Sequence, residues 1–182
     1  MRGFLLMMLA VAGSAAAMPK PVREVRPSNI PAPRSALQLR AVMLRGHAAA
    51  RAAVGVPPLL WSDRLAASAG AYATWLAREN RFEHAVQPQG PTREGENLWM
   101  GTRGAYGFDE MIQHWVDERR FYRHAPTPNF STTGNWADVG HYTQIIWRGT
   151  TAVGCAIASN RDNDYLVCRY APAGNVVGRL AY

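Results

Sequence analysis

Apolar residues recur at helical spacing in the first half of the chain. Ser35 and Gln38 form a Ser-x-x-Gln capping box, which predicts that a helix begins at Ser35. Gly55 and the Pro57-Pro58 pair predict where this helix ends, because glycine and proline interrupt helices. The predicted buried face of the helix consists of Leu37, Ala41, Leu44 and Ala48.

Two further segments have the same periodicity. The second predicted helix begins at Ser62 or Asp63 and fades near Asn80, and the third runs from about Phe108 to Arg120. We interpret their apolar stripes as core, because amphipathic faces are normally buried. The stripes consist of Leu65, Ala69, Tyr72, Ala73 and Leu76 in the second helix, and of Met111, Ile112, Trp115 and Arg119 in the third.

After Gly134 the pattern changes to a period of two residues, which is typical of β-strands. Three runs alternate in this way: His141 to Trp147, Val153 to Ile157, and Leu166 to Tyr170. The polar segment 161–164 between the last two runs predicts a hairpin turn. Helices followed by antiparallel strands predict an α+β domain whose helices cover the sheet.

The N-terminus has the layout of a secretory signal peptide. A positive Met1-Arg2 start is followed by the apolar run Phe4 to Val11, and Ala15 and Ala17 are the small residues that cleavage requires. The alternative is a membrane anchor, but the run is shorter than the roughly 20 residues that span a bilayer. We therefore predict a signal peptide at residues 1–17, which leaves 182 − 17 = 165 residues, a length that suits one domain.

Proline and basic residues dominate residues 18–35, and we predict an extended, solvated linker there that forms neither helix nor sheet. The folded domain is then predicted to span residues 36–182 and to act as a monomer. The net charge is +7, but the basic residues are spread along the chain and form no basic helix or RNA-binding motif, so we expect no nucleic acid partner. In an exported protein such charge favours weak attraction to anionic cell envelopes.

Three motifs occur in order along the chain: Gly95-Glu96-Asn97-Leu98, Gly140 to Trp147, and Val167 to Asn175. Together they resemble the signatures of the CAP superfamily, which includes cysteine-rich secretory proteins, antigen 5 and pathogenesis-related class 1 proteins. The resemblance implies a three-layer α-β-α sandwich with a central, mainly antiparallel sheet. With two cysteines, the chain resembles a disulfide-poor, bacterial-type secreted member of the superfamily.

No local catalytic or metal motif is present, because His-Glu-x-x-His, Cys-x-x-Cys and Gly-x-Ser-x-Gly are all missing. The resemblance, however, implies a polar cleft lined by His84, Glu96, Glu118 and His141, with Glu118 chosen over the neighbouring Asp117. His84 and His141 would then be the ligands of a zinc-type divalent ion, oriented by the two carboxylates. The alternative is a hydrogen-bond network that braces the helices against the sheet.

The remaining histidines, His47, His114 and His124, match no cleft position and are predicted to lie at the surface. Cys155 and Cys168 lie in alternating runs on either side of the predicted turn, and an exported protein favours a disulfide between them. The alternative is two buried free thiols.

The resemblance leaves three hypotheses for function. The first is a secreted binding protein for a lipid, a sterol-like molecule or an envelope component. The second is a metal-assisted hydrolase with Glu96 or Glu118 as general base. The third is an antimicrobial or defence-type protein. We expect no general protease or esterase activity, because no nucleophile and base are arranged recognisably around any serine or cysteine. The expected location is extracellular, or periplasmic in a Gram-negative source.

Overall fold

The computed structural model describes residue 18, residues 22–25 and residues 34–182. The predicted signal peptide and most of the predicted linker lie outside these residues, so the domain boundaries stay predictions. The helices and strands in chain order are β1 Val22–Glu24, α1 Ala36–Ala52, β2 Leu60–Trp61, α2 Asp63–Glu79, β3 Gly95–Thr102, α3 Phe108–Asp117, α4 Gly140–Ile146, β4 Ala152–Ser159 and β5 Asn163–Ala171.

Side-chain caps set the ends of the first two helices as the sequence predicts. The Ser35 hydroxyl accepts a hydrogen bond from the backbone N–H of Gln38 at 3.2 Å, and the Ser62 hydroxyl accepts one from Leu65 at 3.3 Å. Asn80 ends α2 in the left-handed conformation, with φ of 49°. The third helix ends at Asp117 and continues as a 3-10 turn to Phe121, close to its predicted end.

Five strands form one sheet in the order β1-β3-β5-β4-β2. The three central strands are antiparallel, whereas β1 and β2 are short edge strands that run parallel to their neighbours. Helix α2 covers one face, where Ala69, Ala73 and Leu76 pack with Leu98 and Val167. Helices α1, α3 and α4 cover the other face. The structure therefore confirms the predicted α+β fold with three layers.

The disulfide prediction is also confirmed. Cys155 on β4 and Cys168 on β5 are directly opposite each other in the antiparallel register, and their sulfur atoms are bonded. Both side chains belong to the core on the α1 and α3 side of the sheet. The bond joins the two strands of the hairpin, whose connecting residues are 160–162, so the predicted turn at 161–164 overlaps the observed one and its last two residues belong to β5.

The strand prediction for His141 to Trp147 is wrong, because residues Gly140–Ile146 form helix α4. All seven residues of this helix are buried. Alternation of polar and apolar residues indicates a strand only when one face meets solvent, and here no face does. The hydroxyl of Thr143 has one proton to donate, and it lies 2.7 Å from Oδ1 of Asn175 and 3.0 Å from the carbonyl of Val139, so an acceptor is in reach both locally and across the fold.

Two smaller predictions also need correction. The predicted buried face of α1 is wrong, because Leu37 is 82% exposed and Ala41 is exposed. The buried positions are Leu39, Val42, Met43, His47, Ala50 and Arg51. An alanine-rich helix has several apolar stripes, and packing against α3 selects one of them.

The linker also departs from prediction, because Val22–Glu24 forms β1 beside β3. These three residues contain no proline, so their N–H groups are available for the ladder.

Candidate functional site

Two of the four predicted cleft residues, His84 and Glu96 of strand β3, form a pair in the structure. Nδ1 of His84 lies 2.6 Å from Oε1 of Glu96, and the backbone N–H of Ala85 donates to the same oxygen at 3.1 Å. A carboxylate only accepts hydrogen bonds, so Nδ1 carries the proton. Glu96 is fully buried, whereas the His84 side chain is 17% exposed. The contact therefore fixes the ring orientation of His84 from a buried anchor.

Arg169 of strand β5 provides the countercharge for the buried Glu96. Its Nη2 lies 2.7 Å from Oε2 of Glu96, in the register where the two residues face each other across β3 and β5. The guanidinium also lies over the ring of Tyr72 on α2, 5.1 Å from the ring centroid. A buried carboxylate needs such a partner to remain charged. The sequence analysis missed Arg169, although it lies within the third motif next to Cys168.

The second pair joins His141, at the beginning of α4, to Glu118. Nδ1 of His141 lies 2.6 Å from Oε1 of Glu118, while Oε2 accepts from the backbone N–H groups of His141 at 2.9 Å and Tyr142 at 3.1 Å. The His141 ring is fully buried and stacks on Trp115 at 5.8 Å between centroids. The neighbouring Asp117 instead accepts from Gln113. Glu118 therefore both caps the N-terminal turn of α4 and orients His141.

The hydrogen bonding of the His141 imidazole is that of a metal ligand, but few other side chains that could bind the same ion lie near it. Nε2 of His141 is buried without a hydrogen-bond partner, and its Nδ1 is held by a carboxylate, as is usual for an imidazole that binds a metal ion. Among the described residues, however, no three His, Cys, Asp or Glu side chains are placed to hold one ion together. The chemistry thus fits a zinc-type ion, and binding itself remains a prediction.

Each histidine pair contacts strand β3, one through Glu96 and the other through the next residue, Asn97. Every second residue of a strand points to the same face of the sheet, so Glu96 shares its face with Leu98 and Met100. Leu98 and Met100 pack on the α2 side of the sheet, and Glu96 therefore faces that side. The next residue, Asn97, is also buried, and its amide donates to the carbonyl of His141 at 3.2 Å. The structure therefore groups the four predicted residues two by two, with β3 linking the pairs.

The prediction that His47 lies at the surface is wrong. His47 is fully buried; its Nδ1 lies 2.7 Å from the carbonyl of Met43 and its Nε2 lies 2.9 Å from the hydroxyl of Tyr170. Because the carbonyl only accepts, Nδ1 carries the proton and Nε2 accepts from Tyr170. Burial lowers the pKa of His47 from 6.5 to about 4, with the nearby Arg51 charge acting in the same direction.

The tyrosine hydroxyl also accepts from Asn97 at 3.1 Å, which connects His47 to the site. Of the other two histidines, His114 is half-buried, and its Nδ1 accepts from the indole N–H of Trp99 at 2.9 Å. This contact contradicts its predicted surface position, because the ring packs against a core residue. His124 is exposed, as predicted.

A cavity of about 530 Å³ lies away from the histidine pairs, along the edge of strand β4. Strand β2 pairs with the first two residues of β4, and within the described part of the chain residues 154–159 have no strand partner on that side. The beginnings of α1 and α2 flank the opening. Apolar side chains form most of the wall, including Leu39, Ala66, Phe108 and Ile157. None of the four predicted site residues lines this cavity.

Residues 34–182 and the short N-terminal stretches described with them contain no helix long and apolar enough to cross a membrane. In sequence comparison, the family model described as "CAP: Cysteine-rich secretory protein family" matches residues 44–170. The pathogenesis-related protein PRMS of Zea mays is 40% identical over 139 residues, which cover 73% of this chain and 76% of that protein. Pathogenesis-related protein 1C of Nicotiana tabacum is 37% identical over 140 residues, which cover 76% of this chain and 78% of that protein.

These relatives come from plants, so the bacterial-type qualifier of the prediction is not supported. Among solved structures, the one described as NaASP2 with Zn²⁺ aligns with a TM-score of 0.66 and 22% identity, covering 86% of this chain and 88% of that chain. BmVAL-1 aligns with a TM-score of 0.66 and 24% identity, covering 85% of this chain and 86% of that chain. At these identities the structural likeness supports the fold alone.

Proposed function

Because the chain belongs to the CAP family of cysteine-rich secretory proteins, we propose that it is a secreted binding protein of the pathogenesis-related class 1 type, which holds a lipid or sterol-like ligand. The observation that carries the proposal is the cavity of about 530 Å³ beside β4. Its volume lies within the range of roughly 300 to 1,000 Å³ that is usual for small-molecule sites, and such sites are mostly apolar. The names of the plant relatives support a role in defence.

The test uses a variant that fills the cavity. Ala66 lines the cavity on α2, whereas the neighbouring Ala67 is exposed and does not line it. Ala66→Phe is expected to abolish binding of two neutral probes, dodecanol and a fluorescent sterol, while Ala67→Phe binds them like the wild type. Thermal unfolding of both variants establishes that they are folded. Equal binding by Ala66→Phe and the wild type, or no binding of either probe by the wild type, would contradict the proposal.

A second function is supported by a separate observation, the buried and unpartnered Nε2 of His141. We propose that His84 and His141 bind a zinc-type divalent ion through Nε2, with Glu96 and Glu118 fixing the rings through Nδ1. A bound ion would supply a concentrated positive charge that can hold a polar or anionic group. Both carboxylates already accept several hydrogen bonds or an ion pair, which supports a role in positioning the imidazoles over a role as general base.

A further inference from the structure

One surface of the domain gathers arginines that lie far apart in the sequence. We call this surface the C-terminal patch; its residues are all exposed and are Arg119, Arg123, Arg148, Val177, Arg179 and Leu180. Residues 176–182 lie at its centre. The backbone N–H of Arg148, which follows α4, donates to the carbonyl of Ala181 at 2.6 Å, and that of Thr127 donates to the carbonyl of Arg179 at 2.9 Å. These bonds bring three separate parts of the chain together at the patch.

Aromatic rings connect the other two arginines to the same place. The ring of Tyr182 lies 6.0 Å from the ring of Tyr122, and this contact brings the next residue, Arg123, to residues 176–182. The ring of Tyr122 also lies 5.6 Å from that of Tyr142. Arg119 and Tyr142 line one small cavity, so Arg119 belongs to the same neighbourhood. The fold thus collects cations that the sequence alone shows only as scattered residues.

Acidic side chains do not balance the positive charge of the patch. Among the described residues, none of its four arginines forms an ion pair. Segments 119–127 and 176–182 contain no Asp or Glu, and their one negative group is the carboxylate of the last residue, Tyr182. Exposed arginines elsewhere do have a carboxylate in reach, namely Arg64, Arg78, Arg81 and Arg161. Because arginine stays protonated at physiological pH, the patch is a permanently cationic surface.

Exposed apolar side chains lie among these cations. Val177 is 43% exposed and Leu180 is 44% exposed, one on each side of Arg179 in the chain. The half-buried rings of Tyr122 and Tyr182 lie beside them. Apolar and tyrosine side chains favour the interfacial layer of a bilayer, and arginines are attracted to anionic lipids. An acidic polymer in solution offers negative charge but no apolar layer, so the combination favours a bilayer.

We propose that the C-terminal patch docks the protein on an anionic lipid bilayer. Its four guanidinium groups would contact the phosphates and carboxylates of the lipid heads, while Val177 and Leu180 enter the layer between them. The electrostatic part of this attraction is weakened by salt. The inference goes beyond the proposed function, because no residue of the patch lines the cavity beside β4.

Sedimentation of the mature protein with lipid vesicles tests the proposal. Phosphatidylcholine vesicles with about 30 mol% phosphatidylserine should bind the protein at low salt, and pure phosphatidylcholine vesicles should bind it much more weakly. The triple variant Arg123→Gln, Arg148→Gln, Arg179→Gln should bind the anionic vesicles about 100-fold more weakly, since each cation near an anionic surface contributes roughly fivefold. Arg119 is retained in this variant because it adjoins Glu118 of the histidine pair.

The matched control removes three exposed arginines outside the patch, in the variant Arg45→Gln, Arg103→Gln, Arg161→Gln. The backbone N–H of Arg103 donates to the carbonyl of Asp162, so Arg103 and Arg161 lie at the turn of the β4–β5 hairpin, at the opposite end from Arg148. This control loses the same net charge and should weaken vesicle binding only a few-fold. Equal losses in the two triple variants would show that net charge alone attracts the protein, and would overturn the patch.

The variant Val177→Ser, Leu180→Ser distinguishes a bilayer from another polyanion. It should bind anionic vesicles about 10-fold more weakly, because apolar burial is lost, and its binding to heparin, an acidic polysaccharide, should match that of the wild type. Thermal unfolding establishes that all variants are folded. Unchanged vesicle binding by this variant would overturn the bilayer as the partner. Wild-type protein that binds heparin but no anionic vesicle, or neither of them, would overturn it as well.

Discussion

The buried His47 is expected to make the stability of the domain fall between pH 6.5 and pH 4. The pKa of His47 is about 4 in the folded protein and 6.5 in the unfolded chain, so the unfolded chain binds the proton more readily in this range. The stabilisation that comes from keeping His47 neutral is fully present above pH 6.5 and is lost as the pH falls towards 4. The difference of 2.5 pKa units at about 1.4 kcal/mol each corresponds to roughly 3 kcal/mol, of which about 2 to 3 kcal/mol is lost by pH 4.5.

Urea unfolding of the disulfide-bonded protein at pH 7.5, 6.5, 5.5 and 4.5 measures this loss. His47→Gln removes the titrating group, so its free energy of unfolding should fall by about 2 to 3 kcal/mol less than that of the wild type over the same range. Carboxylates that titrate near pH 4 contribute equally to both proteins and cancel in the comparison. His124→Gln is the control, because His124 is exposed and its loss should leave the wild-type pH dependence intact.

The absolute stability of His47→Gln at pH 7.5 is a separate quantity. The variant should be less stable there, because the hydrogen bonds to Met43 and Tyr170 are changed. The decisive measurement is therefore the change with pH in each protein. If His47→Gln loses as much stability as the wild type between pH 7.5 and pH 4.5, then His47 is protonated without cost in the folded protein, and the reasoning from burial fails.

Three further predictions test other parts of the molecule. Calorimetric titration with zinc should show binding to the wild type, none to His141→Ala, and binding weakened by about 10- to 100-fold in Glu118→Gln; equal affinity in wild type and His141→Ala would mean that any zinc binds elsewhere. Reduction of the Cys155–Cys168 bond should lower the free energy of unfolding by about 3 kcal/mol in urea experiments, and an unchanged midpoint would contradict this. N-terminal sequencing of exported protein should begin at Met18; retention of Met1 would refute the signal peptide.

The sequence by itself determined the features that depend on neighbouring residues. The hydroxyls of Ser35 and Ser62 cap helices because they bond to N–H groups three residues away, and this requires no other part of the chain. The β4–β5 hairpin and the facing cysteines follow from alternation on both sides of a short turn. The motif resemblance, similarly, depends on residues within short segments, and it named His84, Glu96, Glu118 and His141, which the structure pairs.

The tertiary structure decided which surfaces face the interior. The helical segment Gly140–Ile146 is buried on all sides in the fold, and such a segment has no solvent-facing side from which its period can be inferred. His47 is neutral because the packed core buries it, and Tyr170, far along the chain, donates to its Nε2 there.

The same applies to the charges around the two candidate sites. Arg169 meets Glu96 across two strands, and Arg34 meets Asp164 over a separation of 130 residues. Burial and long-range pairing set the electrostatics of these groups, and they exist only once the helices have packed on the sheet.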